Sequence, residues 1–467
     1  MNKIATLFYI SLLAFAVLAP LVPAKSQGLR VDAMVVWKHF DYDYKNYDPW
    51  FSLLNQEIGE WYTPAGLPAQ PIAVLPGDDM DPNVAFNRSG YAMAVWANNM
   101  TGSYEIMFAT FNLTTQAWSD PMFLTELEDG DDLDPDIAFD TNGWAICIWV
   151  HKFYENGTQV IYYSLWNGTA WIGPNSALVP LPNGWGGQAG IPELCFITKA
   201  SSDRKNVTDH EAVAVWTDWS EESSQYHAWY AIWRGYQWTD ASYAPAVKEI
   251  PGQTEDADHE LYPLYNSEPR MGVSADSNGF AKAVWSAYDY DTGQYQVWSS
   301  EWDSASDQWI LLQAYDYGFW PSVAFDFLDL GVSVYSHQGA EPPYSIDIWY
   351  NREENHEWSP SFFAADSGWK DYRPAIAAKK TSVFVSVWYA FNETSADYDL
   401  YWAEYIGGSW TPAQELYPGG LFGDDFNPEL ATPIMSPHTP VIPEIPTFFL
   451  AFLATLATSV FAIKRKR

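Results

Sequence analysis

Cysteine is nearly absent from this chain, with two in 467 residues. A disulfide framework of the kind that staples small secreted domains is therefore excluded. Basic residues are scarce as well: 23 Lys plus Arg stand against 59 Asp plus Glu, a formal net charge of −36. Such a surface repels nucleic-acid phosphates and anionic headgroups, so nucleic acid is not an expected partner, whereas cations and basic proteins are favoured. Long apolar runs are confined to the two ends of the chain. There is no P-loop, no HExxH and no GxSxG elbow, which removes the commonest phosphate-binding, zinc-protease and serine-hydrolase signatures.

What is present is repetition. AMVVW ends at Trp37, AMAVW at Trp96, AICIW at Trp149, AVAVW at Trp216, AKAVW at Trp285, GVSVY at Tyr335 and FVSVW at Trp388, in steps of 59, 53, 67, 69, 50 and 53 residues. Around each pentapeptide stand a short strand such as PNVAF or PDIAF, a turn, a polar loop, an aromatic strand and an isolated Trp. β-branched and aromatic runs between turn residues, repeated about every 50 residues, predict four-stranded blades of an all-β, seven-bladed β-propeller. The first copy has no PxVAF strand before it, yet Pro428 to Ala431 matches Pro82 to Ala85 and Pro135 to Ala138. The last strand is thus expected to complete the first blade, which removes open sheet edges. The domain then runs from Leu29 to Thr432.

Register separates structural from candidate functional residues. Trp61, Trp118, Trp171, Trp238, Trp309, Trp358 and Trp410 recur near the fourth strand and, like the Trp residues of the pentapeptides, read as packing between blades. Cys147 and Cys195 occupy slots that hold Ala or Ser in other copies; a pairing of the two is left open. Trp144, Trp185, Trp219, Trp320 and Trp369 break register and are candidates for stacking on sugars or partner side chains.

Three acidic turns, GDDMDP, GDDLDP and GDDFNP, precede the innermost strands of blades 2, 3 and 1 and so neighbour one another on one face. Their Asp78, Asp79, Asp81, Asp131, Asp132, Asp134, Asp424 and Asp425 suit a hard cation such as Ca²⁺. The competing reading is that each Asp bonds its own turn amides. Two residues past the Trp that ends the second strand stand His39, Asn98, His151 and Asp218, a possible ligand crescent on the same face, with a shared transition metal as a further option.

The ends concern address. Residues 1–26 have Lys3, an apolar core and small residues Ala24 and Ser26 before Gln27, the pattern of a secretory signal. A Pro-rich linker (433–447) precedes the apolar run from Phe448 to Ile463 and the basic tail Lys464 to Arg467, so the expected location is extracellular, with the propeller anchored to the membrane by residues 448–467. PEIP followed by an apolar run and KRKR resembles the PEF-type carboxy-terminal sorting signals of archaeal surface proteins, with Ile445 where that motif has Phe; the resemblance implies processing, and a plain anchor is the other reading. Sequons at Asn87, Asn99, Asn112, Asn156, Asn167, Asn206 and Asn392 fit a glycoprotein.

In its strand, turn and aromatic rhythm the repeat resembles sialidase-like and BNR propellers. The Asp-box of those families is missing: the corresponding turns read NLTTQAW, NGTAW, RGYQW, SASDQW and GGSW, and an arginine triad could draw only on few residues, chiefly Arg270 and Arg373. The expectation is a surface-anchored binding or adhesion module for a glycan or a surface protein, assisted by Ca²⁺. A glycan-active hydrolase or lyase is the alternative.

Overall fold

The computed structural model describes residues 31–433 apart from 56–58, 127–128, 179–188, 198–210, 221–224, 236–237, 239–247, 250–270, 290–291, 340–344 and 419–422. The expected signal and anchor, Trp185 and Asn206 lie outside the described residues. Every described element is a strand, so no described helix could cross a membrane.

Each repeat folds into one antiparallel sheet, and seven sheets form the ring of a β-propeller. Blade 2 is representative: Asp79–Asn87, Tyr91–Asn98 and Glu105–Asn112 are its first three strands, and Ala117–Trp118 with Met122–Phe123 make an interrupted fourth. The pentapeptide is the second strand. It is covered by blades on both sides, which is why it carries an unbroken apolar run rather than alternation; Trp37, Trp96, Trp149, Trp216, Trp285, Tyr335 and Trp388 are all fully buried. The broken outer strands of blades 1, 2, 6 and 7 leave little continuous edge for a foreign strand to join.

Blade 1 is assembled from both ends of the ring. Asp424–Ala431 pairs antiparallel with Val31–Asp41, Met34 opposite Ala431 and Phe40 opposite Asp424. The strand that repeats PxxA therefore stands where the sequence places it. Neighbouring blades are tied by a repeated aromatic contact. The fourth-strand Trp of each blade reaches back onto an aromatic of the preceding one: Trp118 on Phe51, Trp171 on Phe108, Trp238 on Tyr163, Trp309 on Tyr230, Trp358 on Tyr315, Trp410 on Tyr350 and, across the closure, Trp61 on Trp402. Centroids are 5.0 to 6.0 Å apart. Such pairs contribute about 0.5–1.5 kcal/mol each beyond their buried area.

The cysteines and the sequons each take a defined place. Cys147 and Cys195 are both free, Cys147 buried between blades as a small apolar side chain. The sequon pattern also has a backbone cause. The side-chain oxygens of Asn87, Asn112, Asn156, Asn167 and Asn392 accept the N–H two residues on, so N-x-[ST] here is an Asx-turn closing a hairpin. Asn87 is buried and also bonds Gly143, which closes that site to a glycan.

Truncating the chain after Asp425 removes most of the innermost strand of blade 1 and uncovers Val31–Asp41. We expect a lower and broader thermal transition by circular dichroism; a transition identical to that of the intact ring would contradict closure by this strand.

Candidate ligand-binding end of the ring

The turns before the first strands and the hairpins between second and third strands lie at one end of the ring, here the top, because the first strand runs down from the turn and the second runs back up beside it. Five first strands share a local distortion. Asp81, Asp134, Trp320, Arg373 and Asn427 each precede a proline and have φ between +46° and +55°. Proline disfavours the right-handed helical region for the residue before it, and a bulge forms at each of these sites in the pairing register.

Asp81, Asp134, Arg373 and Asn427 line a cavity at the axis. Its volume is about 30 Å³, room for a water or two and not for a sugar ring. Lys38 Nζ lies 2.9 Å from Asp81, Asn427 donates to Asp81 at 3.0 Å, and Arg373 donates to Asn427 at 2.7 Å. Burial opposes the Asp81 carboxylate, but Lys38 outweighs it and holds the group below the usual carboxylate range.

The acidic turns divide their carboxylates among three tasks. The first Asp staples one blade to the next: Asp78 accepts the Tyr47 N–H (3.3 Å), Asp131 that of Tyr104 (3.0 Å) and Asp424 that of Tyr398 (3.0 Å). The second Asp is buried and accepts the indole N–H of its own blade, Trp96 to Asp79 (2.7 Å), Trp149 to Asp132 (2.8 Å) and Trp37 to Asp425 (2.5 Å). Blade 7 repeats the bond from Trp388 to Asp371 at 2.8 Å. The third residue occupies the bulge at the axis. The turns are thus neither one cation cage nor simple Asx-turns, since their carboxylates reach in different directions.

The expected crescent lies inside the blades. Asn98 donates to Asp79 at 2.7 Å, and the Nδ1 atoms of His39 and His151 stand 2.8 and 2.7 Å from Asp425 and Asp132. Each of these residues, like Asp218 opposite His227, is buried in its own blade, and His39 and His151 do not meet. The turn glycine is required by close approach of the second strand: a Cβ on Gly130 would collide with the Lys152 carbonyl and come within 2.7 Å of His151, and one on Gly423 would collide with the Phe40 carbonyl and come within 2.6 Å of His39.

Of the register-breaking tryptophans, Trp144 is exposed at the opposite end, in the turn between first and second strands. Trp320 is not available for stacking: it is 3% exposed, packed against Phe319 and Tyr372. Trp369 is half-buried on the top loop before blade 7, against the apolar cluster shared by blades 6 and 7, and Trp219 lies in the second strand of blade 4 (Glu211–Ser220), in register with Tyr226. The exposed top-end aromatics are others. Phe391, Tyr42, Tyr44 and Tyr154, with Met100, sit at the second-to-third hairpins of blades 7, 1, 3 and 2, Tyr44 80% and Tyr154 55% exposed. Tyr42 donates to Asp424 and Tyr154 to Asp131, both at 2.7 Å, so rings and acidic turns are physically joined. The signal for them was an aromatic inside an otherwise polar hairpin.

No family model and no curated protein matches the chain. Among solved structures it is similar to a protein of unknown function from Dyadobacter fermentans (10% identity, TM-score 0.45, 67% of this chain and 90% of that one). It is also similar to a polysaccharide lyase, the PL25 ulvan lyase (8%, 0.45, 73% and 84%), and to the α-L-arabinanase of Penicillium chrysogenum (11%, 0.42, 68% and 90%). No residue role can be carried across at these values, and the ring order rests on the strand register above.

Burial pushes the Asp79 carboxyl up to about 8, against the Asn98 and Trp96 hydrogen bonds, which favour its charged form. An unfolded Asp loses its proton near 4. Between these values the unfolded chain binds fewer protons than the folded one, so this group's contribution is complete below about 4 and is lost as pH rises towards 8. The melting temperature of the wild type should fall from pH 5 to pH 8 more steeply than that of Asp79→Asn; parallel curves would contradict the assignment.

Proposed function

We propose that this chain is an extracellular, surface-anchored binding module whose top end holds a glycan or a basic patch on another surface protein. The observation that carries this reading is the set of exposed hairpin aromatics Phe391, Tyr42, Tyr44 and Tyr154 on blades 7, 1 and 3, with Met100 on blade 2 between them, of which Tyr42 and Tyr154 are hydrogen-bonded to acidic turns. Flat, half-exposed rings with carboxylates beside them suit the apolar faces and hydroxyls of sugars, and equally lysine or arginine side chains. Retention outside the cell by residues 448–467 fits such a role, as does a negative surface that keeps the protein soluble.

Catalysis on a glycan is the second reading. It needs an acid and a base opening onto a shared cleft, whereas the carboxylates of the turns are bonded to indoles, backbone amides and imidazoles, and the axial cavity among the described residues is too small for a sugar. The top end thus favours binding over turnover.

The test is a glycan array and a lysine-rich peptide panel probed with the full-length protein. Retention on a ligand class that is lost in Tyr44→Ala and Tyr154→Ala, with unchanged melting temperature, is the expected result. Release of reducing ends or unsaturated sugars from a bound glycan would overturn the binding-only reading, as would variants that retain full binding.

A further inference from the structure

Three blade interfaces treat one place differently. It lies at the end of the ring opposite the top, where an Asp holds the turn between first and second strands: Asp140 accepts the N–H groups of Asn142 and Trp144, and Asp276 those of Asn278 and Phe280. The residue just before the pentapeptide is Tyr91 in blade 2, Trp144 in blade 3 and Phe280 in blade 5. In blade 2 it packs inward. The Tyr91 ring lies edge-on to Phe139 of blade 3 at 5.7 Å, and its hydroxyl accepts the Trp166 indole N–H at 3.1 Å. In blade 5, Phe280 meets the His356 ring of blade 6 at 4.6 Å. Lys282, two residues on and so on the same face, reaches Glu301 at 3.0 Å and Glu353 of blade 6 at 3.5 Å.

Strand pairing identifies the same positions in blades 3 and 4. Ile146 stands opposite Leu165 as Lys282 stands opposite Glu301. Ala212 stands between Phe196 and Trp233 as Gly331 stands between Phe325 and Glu353. The lysine and both glutamates of one interface are thus isoleucine, leucine and tryptophan in the other. Where blades 5 and 6 hold the chain's own ammonium group, blades 3 and 4 leave a cavity of about 160 Å³. Trp144, Phe196, Trp233, Ile146 and Leu165 line it together with Asp140, and among the described residues no lysine, arginine or histidine does. Trp144 is 43% exposed, so the cavity opens to solvent on its side, whereas Asp140 is 1% exposed.

We propose that this cavity binds an organic ammonium ion carrying methyl groups on nitrogen, with Asp140 and the aromatic rings meeting its charge and Ile146 and Leu165 its carbon surface. Size agrees, since a cavity of about 150 Å³ takes a benzene-sized group and a trimethylammonium head is comparable. The quadrupole of an aromatic ring attracts a cation, most strongly at Trp, and rings gathered around a site are how quaternary ammonium groups are held. A sugar ring would instead leave several hydroxyls against apolar walls with one carboxylate to receive them, which costs more than it returns. The net charge of −36 raises the concentration of cations around the whole chain. The head can arrive on a free molecule or on a methylated lysine, and the shared chemistry is the methylated ammonium. The site is separate from the hairpin aromatics of the top end and does not rest on their reading.

The experiment titrates choline chloride into the full-length protein at fixed ionic strength and follows the ligand methyl resonance by saturation-transfer NMR. The matched probes are the neutral carbon isostere of choline, in which a tert-butyl group replaces the trimethylammonium head, methyl glucoside, and a short peptide carrying trimethyllysine. Saturable choline binding is expected, about tenfold tighter than that of the isostere. Trp144→Ala, at an exposed position, should weaken it about tenfold at an unchanged melting temperature, and Trp144→Phe should restore most of it. Asp140→Asn keeps the acceptor for the turn amides and should weaken choline without weakening the isostere. Tighter binding of the peptide than of choline assigns the head to a protein, and the reverse order to a free molecule. Equal affinity for choline and its isostere, a preference for methyl glucoside, no saturable choline binding, or binding that survives Trp144→Ala would overturn the proposal.

Discussion

The arrangement of this ring depends on a buried hydrogen bond between an indole and a carboxylate. At the end of the second strand the Trp side chain is fully enclosed, and its N–H must find an acceptor or forfeit the hydration it had in the unfolded chain. The acceptor is the Asp that opens the first strand, in blades 1, 2, 3 and 7. Blade 6 solves the same problem with Tyr335, whose hydroxyl donates to Asp316 at 2.6 Å, and with Gly318, where a Cβ would meet the tyrosine ring at 2.5 Å. The Trp216 indole of blade 4 has no acceptor among the described residues, whereas in these five blades the bond fixes where the innermost strand starts. That in turn sets the bulge before the proline, the axial polar network and the direction in which the acidic turn faces.

The scarcity of positive charge has a counterpart in where the cations sit. Lys38 pairs with Asp81 at the axis. Arg234 bridges Glu211 to Asp307 of the next blade, Lys282 bridges Glu301 to Glu353, and Lys379 joins Asp32 to Glu404 across the closure. All span blades; Lys282 and Lys379 are buried together with their partners, so there a missing partner would leave a buried charge uncompensated at a cost of about 3–5 kcal/mol. In a chain with 59 acidic and 23 basic residues, these four cations act as interface contacts.

The ring was legible in the sequence because each copy repeats the same burial. The VW strand, the PxVAF strand and the fourth-strand Trp recur in register, and packing between blades demands that they do. The closure by Pro428 to Ala431 was readable for the same reason. The roles of the polar residues were not. GDD and the His or Asn two past the Trp look like two separate surface motifs along the chain, 17 to 19 residues apart in blades 2 and 3 and 386 to 388 apart in blade 1. Only strand pairing brings them onto one buried row, where they satisfy each other. Trp320 misled in another way: it breaks the tryptophan register because it takes the bulge position held by Asp, Asn or Arg in other blades, and the chain turns it inward. The cavity at Trp144 becomes informative only beside the filled interfaces of other blades.

The most direct test of the indole-to-carboxylate claim is a double-mutant cycle between Trp96 and Asp79. Stability is measured by denaturant unfolding for the wild type, Trp96→Phe, Asp79→Ala and the double variant. Because the two side chains share one buried bond, a coupling of about 1–3 kcal/mol is predicted. Additive losses, with coupling near zero, would show that the turn is held by other contacts and would contradict the account.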